Sequence, residues 1–126
     1  MIPVQKSGGC ACSAAPKLIF SCSGAADVGE LADRTARNLS RNGNGKMFCL
    51  AGIGGRVSGI IKSTEAAASI LAIDGCALDC TKKSLEEAGL KNFNHLRLTD
   101  LGFEKGNTEV DTDAIAQVAD KAKMYL

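Results

Sequence analysis

The stretch Ser69-Ile70-Leu71-Ala72-Ile73-Asp74-Gly75-Cys76-Ala77-Leu78-Asp79-Cys80 decides how the rest of the chain is read. Its first five residues form an apolar run with the length and β-branched content of a buried strand. A helical pattern begins near Leu78 and continues to Ala88, with Leu78, Leu85 and Ala88 expected to face inward and Gly89 suited to the C-terminal cap. Cys76 lies just past the strand, and Cys80 lies one turn into the helix that follows. Four residues apart on a helix, two thiols share one face and can hold a metal ion or react as a pair. A helix N-terminus adds partial positive charge beside them, which favours thiolate.

The same alternation extends in both directions. Lys17-Leu18-Ile19-Phe20 is a short apolar run ending in Ser21-Cys22-Ser23-Gly24, and it predicts a buried strand and a loop. Ala26 to Arg41 predicts a helix with Leu31, Ala32, Ala36 and Leu39 on its apolar face, Asp27 as N-cap and Asn42-Gly43-Asn44-Gly45 as the stop. Arg34, Arg37 and Arg41 recur at helical spacing, and Glu30 one turn before Arg34 marks this stripe as a solvated face. A second strand is expected over Lys46 to Ala51, running into a glycine loop, Gly52-Ile53-Gly54-Gly55, and a helix over Val57 to Ala68. A fourth strand is expected over Phe93 to Leu98, then a loop from Thr99 to Thr112, then a helix from Asp113 to Tyr125 with Ile115, Val118, Ala119 and Ala122 on one face. Near-continuous apolar strands alternating with helices predict an α/β, three-layer, Rossmann-like fold with a parallel four-stranded sheet. Residues 17–126 form that domain, and residues 1–16 read as a flexible tail carrying Cys10 and Cys12.

Composition limits the possible functions. The 126 residues are the length of one domain, and 15 basic against 14 acidic residues give a net charge of +1. That balance offers no electrostatic basis for a nucleic-acid or membrane partner. No apolar run approaches the ~20 residues of a membrane span, and residues 1–15 lack the apolar core of a signal peptide, so a cytoplasmic location is expected. Six cysteines then require an explanation, because a reducing compartment does not sustain structural disulfides.

Topology supplies one. Cys22 follows the first strand, Cys49 lies toward the end of the second, and Cys76 and Cys80 follow the third. In a parallel sheet these positions share one edge, the edge at which open α/β sheets bind ligands. Four thiolates suit zinc, cuprous copper or an iron–sulfur cluster, zinc being held tetrahedrally with Zn–S near ~2.3 Å. The spacing is neither that of a zinc knuckle nor that of a ferredoxin, and Lys83 stands where a radical-SAM triplet would need its third cysteine. No Cys-x-x-Cys is present, and Cys49 to Arg56 is one residue too long for a phosphatase loop. Two alternatives stay open. One is a thiol redox enzyme or sensor using Cys76 and Cys80. The other is a nucleotide or small-anion binder at Gly52 to Gly55, although Val57 occupies the place of the third glycine of a dinucleotide fingerprint. Arg56 could offset a tetrathiolate charge or be solvated. Asp74 reads first as a helix cap and second as an acceptor orienting the Cys76 loop. His95 reads as a surface or packing histidine, which leaves a nucleophilic cysteine without a general base.

Asp74-Gly75-Cys76 followed by Cys80, with Cys22-Ser23-Gly24 and Cys49-Leu50-Ala51-Gly52-Ile53-Gly54-Gly55, resembles the DGC-domain proteins, a family to which zinc binding is ascribed. The resemblance spans about residues 17 to 124. It implies a metal ion as ligand, with Cys22, Cys49, Cys76 and Cys80 as the chelating set. It implies no particular reaction and says nothing of protein partners.

Overall fold

A computed structural model describes residues 15–126; Cys10 and Cys12 lie outside the described residues. Four parallel strands, β1 (Lys17–Ser21), β2 (Lys46–Met47), β3 (Ser69–Asp74) and β4 (Asn94–Arg97), form one sheet in the order β2-β1-β3-β4. Between and after them come α1 (Asp27–Arg41), α2 (Leu50–Gly54), α3 (Ser58–Glu65), α4 (Cys80–Glu87) and α5 (Thr112–Ala122). The expected α/β architecture is what the chain adopts.

Strand alternation builds the three layers. Ile19, Leu71 and Ile73 point to one face and pack with Leu31, Ala36 and Leu39 of α1 and Val118, Ala119 and Ala122 of α5. Leu18, Phe20, Ile70 and Ala72 point to the other face and pack with Ile53 of α2 and Leu85 of α4. Because both faces of the two central strands are covered, β1 and β3 read as continuous apolar runs. Pro16 is already tied to the domain, its carbonyl accepting the Ala68 amide at 2.9 Å. No helix among the described residues is long and apolar enough to cross a membrane.

Several local expectations are corrected. The second strand does not run to Ala51. It pairs only at Lys46 and Met47, and the Phe48 amide still reaches the Ile19 carbonyl at 2.9 Å before the chain turns at Cys49 into α2. Gly52 and Gly54 therefore sit in a helix rather than a loop. A Cβ on Gly52 would collide with the Ile60 side chain, so this glycine permits close packing of α2 on α3. The helix expected from Val57 to Ala68 is confined to Ser58–Glu65. The segment after β4 opens with a 3-10 turn, Leu98–Leu101. Helix α4 starts at Cys80, two residues later than its apolar pattern suggested, and Leu78 is 61% exposed instead of inward. Asp27 is the first residue of α1 and Ala26 its N-cap.

Candidate metal centre and its surroundings

The four described cysteines are free thiols at the carboxyl edge of the sheet. Cys22 is the first residue after β1, and its amide donates to the Ile73 carbonyl at 3.2 Å, which ties it to the end of β3. Cys49 is the exposed N-cap residue of α2. Cys76 lies two residues beyond β3, half-buried, with the Lys105 ammonium 3.7 Å from its sulfur. Cys80 is exposed as the first residue of α4, so it begins the helix rather than standing one turn inside it. Cys22 and Cys49 line a common cavity of about 860 Å³. Gly75 lets the loop that bears Cys76 lie close against α1. A Cβ there would lie 2.7 Å from the backbone of Val28, so glycine is what lets the first turn of α1 pack on the Cys76 loop.

Among the described residues, no three of these sulfurs lie within 4.8 Å of one another. A tetrahedral zinc site needs sulfurs about 3.8 Å apart, from the usual Zn–S length. The donor chemistry and the shared edge fit zinc; closing the site requires the loops bearing the thiols to draw together.

One group does bring three potential ligand atoms that close: Asp74, Asp79 and His95. Its placement follows from strand register. Ala72 pairs with His95 and Asp74 with Arg97, so Asp74, His95 and Arg97 point from the sheet toward the layer that contains α4. Asp74, 1% exposed, accepts from the Thr81 amide at 2.7 Å and the Lys82 amide at 3.1 Å, and it meets His95 Nε2 at 2.9 Å. It therefore caps α4 from outside the helix, answering orphan amides at an N-terminus whose own N-cap side chain, Asp79, does not. Asp79 instead takes a two-pronged ion pair from Arg97, at 2.8 and 2.6 Å. The guanidinium holds the Asp79 carboxyl below its usual range and is itself raised in turn. Asp79 adopts a left-handed φ of 53°, a conformation aspartate tolerates better than most residues. With Asp74 engaged by backbone amides and Asp79 by Arg97, this trio is an anchor between β3, β4 and the start of α4. It fixes the backbone on which Cys76 and Cys80 are mounted.

The anchor corrects one expectation. His95 is not a simple surface or packing residue, because it is hydrogen-bonded to a buried carboxylate. Arg56 is exposed, in line with its solvated reading, and its guanidinium donates to the carbonyls of Ile53, Gly54 and Glu87, closing the C-terminal ends of α2 and α4. Sequence reading missed Asp79 and Arg97. The available signal was the polar alternation His95-x-Arg97 in a strand expected to be buried.

A second network borders the cavity. Ser21 and Ser23 hydroxyls are 2.7 Å apart, Ser23 donates to Asp33 at 2.8 Å, and Arg37 Nε donates to Asp33 at 2.7 Å. Burial pushes the Asp33 carboxyl up, but the bonds from Arg37 and Ser23 outweigh it and leave the group below its ordinary value. Ser23, with a left-handed φ of 51°, is held in place by this chain of bonds directly after Cys22.

An open parallel sheet with helices on both faces and free thiols at its carboxyl edge defines an α/β protein with a thiol-bearing sheet edge. The DGC domain matches residues 18–122, and the chain belongs to that family. It is also similar to the anaerobic and virulence modulator AnvM of Pseudomonas aeruginosa, with 36% identity over 104 residues, covering 82% of this chain and 77% of that protein. No solved structure matches it.

Proposed function

We propose that this protein binds zinc through Cys22, Cys49, Cys76 and Cys80. The observation that carries the reading is the position of four free thiols in the segments that follow three neighbouring parallel strands, β2, β1 and β3, up to the first residue of α4. Zinc, when bound, would supply a tetrahedral crosslink between those loops. The chain's own contribution is the Asp74 cap and the Asp79–Arg97 pair, which hold the ends of the Cys76–Cys80 segment before metal arrives. A reducing, cytoplasmic setting accords with thiols serving as ligands. The relative's name, a modulator, favours a regulatory use of the site over a turnover reaction.

Elemental analysis of protein purified anaerobically under reducing conditions, with thiols counted in the same sample, tests the reading. The expected result is one zinc per chain, lost on Cys→Ser substitution at each of the four positions. Absence of metal, or metal content indifferent to those substitutions, overturns it. Mild oxidation that removes two thiols while leaving bound metal unchanged would instead favour a reversible Cys76–Cys80 disulfide.

A further inference from the structure

The cavity of about 860 Å³ beside Cys22 and Cys49 has a volume in the range that holds small-molecule ligands. One wall is cationic: Arg37 and Arg41, one turn apart on α1, both line it. Of the Arg37 guanidinium only Nε donates to Asp33 on the same wall, and its terminal nitrogens have no acceptor among the described residues. No partner is recorded there for the Arg41 side chain either. The wall therefore carries two guanidinium charges against one carboxylate. The floor differs in character, with Met47, Phe48 and Leu50 presenting apolar surface that is only partly covered by the core.

A solvated arginine stripe needs no cavity, and an apolar packing defect needs no arginines. Here both border one open cleft. We infer that this cavity binds a small organic anion, a carboxylate or phosphate head on the Arg37–Arg41 wall with an apolar body about the size of one ring on Met47, Phe48 and Leu50. A planar guanidinium fork suits either head group. Of the glycine segment Gly52 to Gly55, only Gly54 lines this cavity, and it sits at the end of α2, so the anion-binding wall is the arginine pair rather than a glycine loop. Cys22 and Cys49 border the cavity while Cys76 and Cys80 do not, so it adjoins the proposed zinc site, and the metal-free chain is the form to titrate.

Titration of the full chain with benzoate and phenyl phosphate, followed by amide chemical shifts, is the test. Inorganic phosphate, benzyl alcohol and benzylamine serve as probes of charge alone, ring alone and reversed charge. The expected result is saturable binding of the two aromatic anions, with shifts centred on Cys22 and residues 47–51. Inorganic phosphate and benzyl alcohol should bind more weakly, and benzylamine should not bind there. Arg41→Gln should weaken binding about tenfold, the loss expected for one charge-assisted hydrogen bond. Arg34→Gln, which alters an arginine outside this cavity, should leave it unchanged. Cys80→Ser should also leave it unchanged, so that failure of metal binding and failure of anion binding are read separately. Absence of saturation by about 20 mM, equal binding of benzylamine, or an unaffected Arg41→Gln variant would overturn the inference.

Discussion

Asp74→Asn tests the buried anchor most directly. Asparagine matches the size of aspartate but offers one acceptor oxygen in place of two and carries no charge. If its oxygen stays on the Thr81 amide, its NH2 group faces the Lys82 amide, and a donor then meets a donor inside a site that is 1% exposed. The Thr81 bond falls from charge-assisted to neutral, a loss of about 1 kcal/mol. The stranded Lys82 amide costs about 1–3 kcal/mol. Removal of negative charge from a helix N-terminus costs about 0.3–1 kcal/mol more. Together these predict a destabilisation of about 2–5 kcal/mol. With a urea slope of about 1–3 kcal/mol/M, the unfolding midpoint measured by far-UV circular dichroism should fall by about 1–2 M. His95→Gln, which disturbs only one of the three contacts of Asp74, should cost clearly less. A loss below about 1 kcal/mol for Asp74→Asn would mean that water satisfies the α4 amides, and the cap would not be the anchor described. If zinc binds as proposed, the same variant should weaken its affinity about 10- to 100-fold, because the start of the helix bearing Cys80 is loosened.

Three further outcomes are expected. Arg97→Gln leaves Asp79 without its two-pronged ion-pair partner and should lower the midpoint in the same urea assay, whereas Asp100→Asn, at the exposed limb of the Arg97 interaction, should leave it nearly unchanged. Asp27 accepts the Gly106 and Thr108 amides at 2.9 Å each, and these bonds, Gly106 foremost, hold its carboxyl below the usual range. The clamp should therefore be fully formed above about pH 4 and be lost as pH falls through the lowered folded value; Asp27→Asn should reduce that acid dependence and speed hydrogen exchange at Gly106 and Thr108. Gly75→Ala must push the Val28 backbone away from a Cβ otherwise 2.7 Å distant, so it should lower the thermal midpoint by several degrees, and an unchanged midpoint would show that α1 is not packed on the Cys76 loop as described.

Much of the fold was legible because burial on two faces leaves a local signature. Leu18–Phe20 and Ile70–Ile73 had to be apolar without alternation, and Leu31, Ala36 and Leu39 had to recur at helical spacing, if a parallel sheet was to be covered. That pattern alone places Cys22, Cys49, Cys76 and Cys80 at one sheet edge. Edge strand β2 was less legible, since Phe48 and Leu50 are as apolar in a tight turn and helix start as in a strand. The same ambiguity hid the helical character of Gly52 and Gly54.

The sequence by itself determined the layers, the parallel sheet and the edge at which the thiols lie, because hydrophobic periodicity and the alternation of elements are properties of neighbouring residues, whereas the strand order came from the structure. Only the tertiary structure decided what surrounds the thiols. Asp74, Asp79, His95 and Arg97 lie on two parallel strands and a helix start, and their pairing depends on the register of β3 against β4. Arg37 and Arg41 looked like any solvated helix face until the turn after β2 carried Phe48 and Cys49 opposite them. Contacts made across the sheet have no local spacing to betray them, because the geometry that creates them exists only once the strands have paired.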